Sequence, residues 1–74
     1  MRADDRLVTV LSRWLARHLS DEELLQELEA TDGQLDPDQA EAVEELRAEL
    51  DRGSRRPELE MVARETLEAL ALGG

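Results

Sequence analysis

Five carboxylates in the middle of the chain, Asp38, Glu41, Glu44, Glu45 and Glu49, fall at helical spacing, and Glu23 and Glu27 repeat the pattern one segment earlier. Two chemistries are open to such a set. Paired carboxylates act as general acid and base only when one of them is stripped of water so that its pKa rises. These acids stand on the face opposite Val43, Leu46 and Leu50, a polar setting that offers no such desolvation. The other chemistry is electrostatic: a row of acids steers and docks a basic protein. A face that only keeps the chain soluble would look similar, because repulsion between acids one turn apart costs just ~0.2–0.5 kcal/mol per pair. Density favours docking. Residues 21–51 hold thirteen Asp and Glu against the single Arg47, a balance of −12. Residues 1–20 carry +2 and residues 52–74 balance to zero, for a net charge of −10.

The other residues capable of chemistry stand alone. His18 is the only histidine, and its nearest candidate co-ligands are Asp21 and Glu22 across a helix corner. The paired Glu-x-x-His motifs of di-metal bundles are missing, and no Ser or Cys stands at a matched position for a hydrolytic triad. A helix-capping or half-buried histidine is expected. Trp14, the only aromatic residue, lies in an apolar stripe with Leu7, Leu11 and Leu15, and these four are expected to anchor the core or a dimer. The stretch from Asp32 to Asp38 fails as a calcium loop, since placing Gly33 at the sixth position puts Leu28 first and Ala30 third. Acyl carrier proteins, also small, acidic and four-helical, need a serine in an Asp-Ser-Leu turn. The corresponding helix start here is Leu35-Asp36-Pro37, and Ser20 is used as a cap. Arg13 and Arg17 share a face of the first helix, and Arg52, Arg55 and Arg56 cluster in the third loop. With nineteen acids to nine Arg, they are expected to pair with acids and not with phosphates. No cofactor, metal, nucleic acid or membrane surface is expected as a partner.

Four helical segments position these residues, and no run alternates with a period of two long enough to make a strand. The first spans 3–19, with Leu7, Val8, Leu11, Trp14, Leu15 and His18 on its stripe and Val10 off it. Asp4 and Asp5 in its first turn, and Arg17 and His18 in its last, suit the helix dipole. Ser20 with Glu23 forms a capping box that opens the second, 21–30, which buries Leu24, Leu25 and Leu28 before Gly33 turns the chain. The third, 37–51, starts with Asp36 as N-cap, Pro37 in the first turn and Gln39 at the capping-box position. Leu35 is placed to staple against Ala40, and Gly53 stops the helix. The fourth, 57–71, carries Leu59, Val62, Ala63, Thr66, Leu67 and Leu70 and runs into Gly73-Gly74, read as a frayed end.

The sequence therefore predicts an all-α fold, one domain over residues 1–74, a compact bundle in which the first and fourth helices supply most of the core. Seventy-four residues bury only ~60–65% of their unfolded surface. That shortage of core, with the broad first-helix face, predicts a homodimer. The absence of Cys and of any apolar run longer than residues 69–72 points to a cytoplasmic protein. The use of Arg to the exclusion of Lys, with no Ile, Phe, Tyr or Asn, points to a GC-rich bacterial gene. The functional expectation is a non-enzymatic protein-interaction module, inhibitor-, immunity- or adaptor-like in size and charge. Its acidic face over the second and third helices would dock a basic protein partner. The alternative is a structural helical homo-oligomer whose acids only solubilise it.

Overall fold

The computed structural model of the chain describes residues 2–31 and 33–72, and over them the fold is four helices: α1 (Ala3–Leu15), α2 (Asp21–Ala30), α3 (Pro37–Arg52) and α4 (Arg56–Leu72). The expectation for Gly73-Gly74 falls outside the described residues. Each helix packs on its neighbours in sequence and α4 returns against α1, closing a ring in which α1 and α3 are diagonal, as are α2 and α4. The Cα radius of gyration is 10.9 Å, close to the ~11 Å of a compact chain of this length. No helix among the described residues is long and apolar enough to cross a membrane.

α1 stops four residues earlier than the sequence predicts. Arg17 takes a left-handed backbone, φ 65°, and the N–H groups of Arg17 and His18 return to the carbonyls of Trp14 and Arg13, at 3.0 and 2.9 Å. This pair of bonds is a Schellman stop, usually built on glycine. With arginine in glycine's place the sequence carries no visible terminator. Arg13 and Arg17 consequently do not share a helix face, and His18 is exposed, contributing its backbone N–H and not a half-buried imidazole. The buried stripe is Leu7, Val10, Leu11 and Trp14, with Val8 37% exposed, because α2 and α4 pack on the Val10 side.

The remaining boundaries follow their local signals. Ser20 Oγ accepts from Glu23 N–H at 3.2 Å, and Glu23 Oε1 accepts from Ser20 N–H at 3.3 Å. Gln39 Oε1 accepts the Asp36 N–H at 3.3 Å, and Gly53, φ 74°, ends α3. Gly33 has φ 83° in the turn after α2.

As the sequence predicts, α1 and α4 supply most of the core among the described residues, seven of its eleven buried apolar side chains, and α2 and α3 the other four. Leu24 and Leu28 of α2 and Val43 and Leu46 of α3 are as buried as Leu59, Ala63 and Leu70 of α4, whereas Leu15, Val62 and Leu67 are only partly buried. Of the three leucines of α2, Leu24 and Leu28 are buried, whereas Leu25, expected inside, lies off their stripe and is only half-buried. Three buried polar side chains are satisfied within the chain. Thr31 Oγ1 donates to the carbonyls of its own last turn. Thr66 Oγ1 lies 2.8 Å from the Val62 carbonyl and 3.3 Å from that of Ala42, and Gln39 Nε2 donates to the Leu70 carbonyl at 3.4 Å. The last two tie α3 to α4. A lost bond here would leave a dry polar group costing about 1–3 kcal/mol, so these contacts fix the register of the pair.

Candidate protein-docking face

α3 presents its acids because its inward positions are taken by Gln39, Val43 and Leu46, which the 3.6-residue period places opposite them. Asp38, Glu41, Glu44 and Glu45 are exposed, while Glu49 is half-buried. The five predicted residues divide into two groups. Glu44 meets Arg47 at 3.5 Å, and Arg47 also reaches Glu29 of α2 at 3.6 Å. Glu49 meets Arg52 at 3.4 Å and accepts a hydrogen bond from Ser54 Oγ. Asp38, Glu41 and Glu45 make no ion pair or side-chain hydrogen bond among the described residues, and their i, i+3, i+7 spacing sets them in one line. Asp51 is a further exposed acid of the same helix that the sequence reading left out of the face. The exposed residue between them is Ala48, which adds no bulk to the surface.

The four proposed anchors lie elsewhere. Leu7, Leu11 and Trp14 are fully enclosed within the single chain, and Leu15 is half-buried. Their apolar surface is consumed internally, so a second copy would have to meet some other part of the molecule. Trp14 is clasped from two other helices: its Nε1–H donates to Asp21 Oδ1 at 2.8 Å, and the Arg56 guanidinium lies 4.0 Å from its ring centroid. Arg56 also donates to the Trp14 carbonyl at 2.8 Å and to Glu60 Oε2 at 2.8 Å. A cation over the indole face gains from the ring quadrupole, and the fork geometry of arginine lets one side chain hold all three partners. The hydrogen bond from Arg56 keeps the Glu60 carboxyl below the usual carboxylate range, with Arg64 and Arg17 adding to the effect. Sequence reasoning missed this clasp. The seven-residue step from Trp14 to Asp21 was a usable signal, but only with the helix stop at residue 15 in place.

A shallow, open groove of about 320 Å3 runs between α1 and α2, floored by Val10 and Leu19. Arg6 and Glu27 pair across it at 2.9 Å, a bond that raises the pKa of Arg6 and lowers that of Glu27. Among the described residues no group of three or more His, Asp or Glu converges to hold a metal ion. Comparison with protein-family models, with curated proteins and with solved structures finds no match.

Proposed function

We propose that this protein is a non-enzymatic protein-interaction module in which the acidic face of α2 and α3 docks a basic protein. The observation that supports the reading is the line of Asp38, Glu41 and Glu45. These are three exposed carboxylates on a rigid helix, and the arginines of the described chain leave them unpaired. Exposed ion pairs are each worth only ~0.2–1 kcal/mol, so such a face governs encounter rate and partner choice more than raw affinity. Glu44 and Glu49 act at its margin, since docking would have to compete with Arg47 and Arg52. On this reading the protein is a bacterial cytoplasmic inhibitor, immunity factor or adaptor.

The test is capture from the native host by immobilised protein at about 0.05 M and about 0.5 M salt, since screening shortens the reach of exposed charges. The wild type is compared with a variant carrying Asp38→Arg, Glu41→Arg and Glu45→Arg. A basic protein retained at low salt, released at high salt and missing from the variant is the expected result. Retention by the variant, or capture indifferent to salt, would leave the acids as a solvated face only.

A further inference from the structure

Four arginines, Arg13, Arg17, Arg55 and Arg64, are exposed and make no ion pair among the described residues. Two of them gather with Arg56 along the edge where α1 meets α4. The Trp14 carbonyl accepts the Arg17 N–H at 3.0 Å and an Arg56 Nη2–H at 2.8 Å, which brings the Arg17 backbone close to the Arg56 guanidinium. Arg64 stands one turn beyond Glu60, the carboxylate that holds Arg56. All three cations act on that one acid, each favouring its charged form. Three guanidiniums against Glu60 and the Asp21 that holds the Trp14 Nε1–H leave a net basic edge on a molecule of net charge −10.

The backbone adds a second observation. Arg17 occupies the left-handed stop that glycine occupies at the end of α3. Glycine adopts that φ freely and a long side chain does not, so the helix end gains nothing from an arginine there. What arginine supplies is a cation at the edge.

The edge and the acidic line do not meet within one molecule: Arg56 pairs with Glu60, Arg17 and Arg64 make no ion pair among the described residues, and the line faces outward from α3. Their dimensions correspond. Arg56 and Arg64 are eight residues apart on α4, ~12 Å along the axis, and Asp38 and Glu45 are seven apart on α3, ~10.5 Å. We propose that the Arg17–Arg56–Arg64 edge receives the Asp38–Glu41–Glu45 line of a second copy of this chain, in a head-to-tail contact. The inference rests on the reading of that line as a docking face, and it names a basic edge of a second copy, in place of a separate basic protein, as what that face meets. The two surfaces differ, so the contact is heterologous, and its repetition adds copies in a row unless the rotation closes. Whole-molecule repulsion between chains of net charge −10 opposes it. At about 0.1 M salt the Debye length is ~10 Å, which mutes that repulsion and spares charges in contact. Association is therefore weak and strongest at intermediate salt.

Sedimentation equilibrium of the full chain tests this, from about 10 μM to about 1 mM protein at about 0.02, 0.1 and 1 M salt. One variant carries Asp38→Arg, Glu41→Arg and Glu45→Arg with the edge intact. The other carries Arg17→Gly and Arg64→Glu with the line intact, and keeps the Arg56 that Trp14 requires. Circular dichroism verifies that both are helical. The wild-type mass is expected to rise above 8.4 kDa with concentration near 0.1 M salt and to fall back at 1 M. Each variant alone should self-associate at least tenfold more weakly, and an equimolar mixture should recover 1:1 pairs, because each supplies the surface the other lacks. A wild type that stays at 8.4 kDa throughout, or variants that associate as it does, overturns the proposal. If the acidic line still captures a basic host protein in that event, only the identity of the partner is wrong. If capture is lost as well, the docking reading fails with it.

Discussion

At the end of α1 the N–H groups of Arg17 and His18 return to the carbonyls of Trp14 and Arg13; at the end of α3 those of Gly53 and Ser54 return to Leu50 and Glu49. The hydrogen-bond pattern is the same and the left-handed residue sits at the same step, with φ 65° at Arg17 and 74° at Gly53. The surroundings differ. The α1 corner is locked from outside by the Trp14 clasp, in which Asp21, Arg56 and Glu60 hold one indole and its carbonyl. The α3 corner has no such anchor: Leu50 is half-buried, and Arg52 and Ser54 hold only Glu49. A helix can thus be stopped by a residue that prefers the stop, or by tertiary contacts that impose it on one that does not.

The largest effect is expected from removing the outside lock. Trp14→Ala should cost about 3–5 kcal/mol, the usual range for emptying a buried aromatic site, and should reduce or abolish the cooperative melt seen by circular dichroism. Trp14→Phe keeps a ring under Arg56 and loses only the bond to Asp21, so it should melt cooperatively between the two. Arg56→Ala should cost about 1–3 kcal/mol in urea denaturation through the lost cation–π contact and the lost hydrogen bonds to the Trp14 carbonyl and Glu60, and Arg56→Lys should restore only part of this.

The two left-handed residues should respond with opposite signs. Gly53→Ala should destabilise by about 1 kcal/mol, and purely through backbone conformation, because a Cβ at that position meets nothing within 4 Å. Arg17→Gly should be neutral to stabilising by about 0.5 kcal/mol, as relief of the backbone outweighs the added freedom of the unfolded chain. A loss of stability in Arg17→Gly would mean that the guanidinium holds the corner as well as the charge.

The smallest effect is a pH dependence. The folded-state pKa of Glu60 is depressed by Arg56, so its contribution is present above the ordinary carboxylate range and is lost as pH falls through the lowered value. Glu60→Gln should therefore flatten the acid limb of a plot of melting temperature against pH, leaving the neutral region little changed.

The contrast between the corners also marks what the sequence could disclose. Helix boundaries were legible wherever a local residue carried the signal: Ser20 and Glu23, Asp36 and Pro37, and Gly53 each act within a few residues of where they stand. The end of α1 was not, because its cause lies forty-two residues away in Arg56 and in the packing that brings Arg56 over Trp14. The partition of the acidic face was partly within reach, since Arg47 and Arg52 stand three residues beyond Glu44 and Glu49 on α3. Spacing alone gave Asp38, Glu41, Glu44, Glu45 and Glu49 one role. What spacing does not reveal is that Arg47 also reaches Glu29 on another helix, a contact that packing alone sets. Burial of the first stripe was readable as a whole, and the exchange of Val8 for Val10 was not, since it depends on which sides α2 and α4 occupy.

The ring order of the helices carries a kinetic consequence. Three of its four packed pairs join helices adjacent along the chain, and only the α1–α4 seam requires a long loop to close. Closure entropy grows slowly with loop length, as (3/2)RT ln n, so one long closure after three short ones makes a topology suited to rapid folding. The sole fluorophore of the chain lies on that seam, and Arg56 stacks on it when the ring shuts. Stopped-flow emission from Trp14 thus follows the closing step, while far-ultraviolet dichroism follows the helices that precede it.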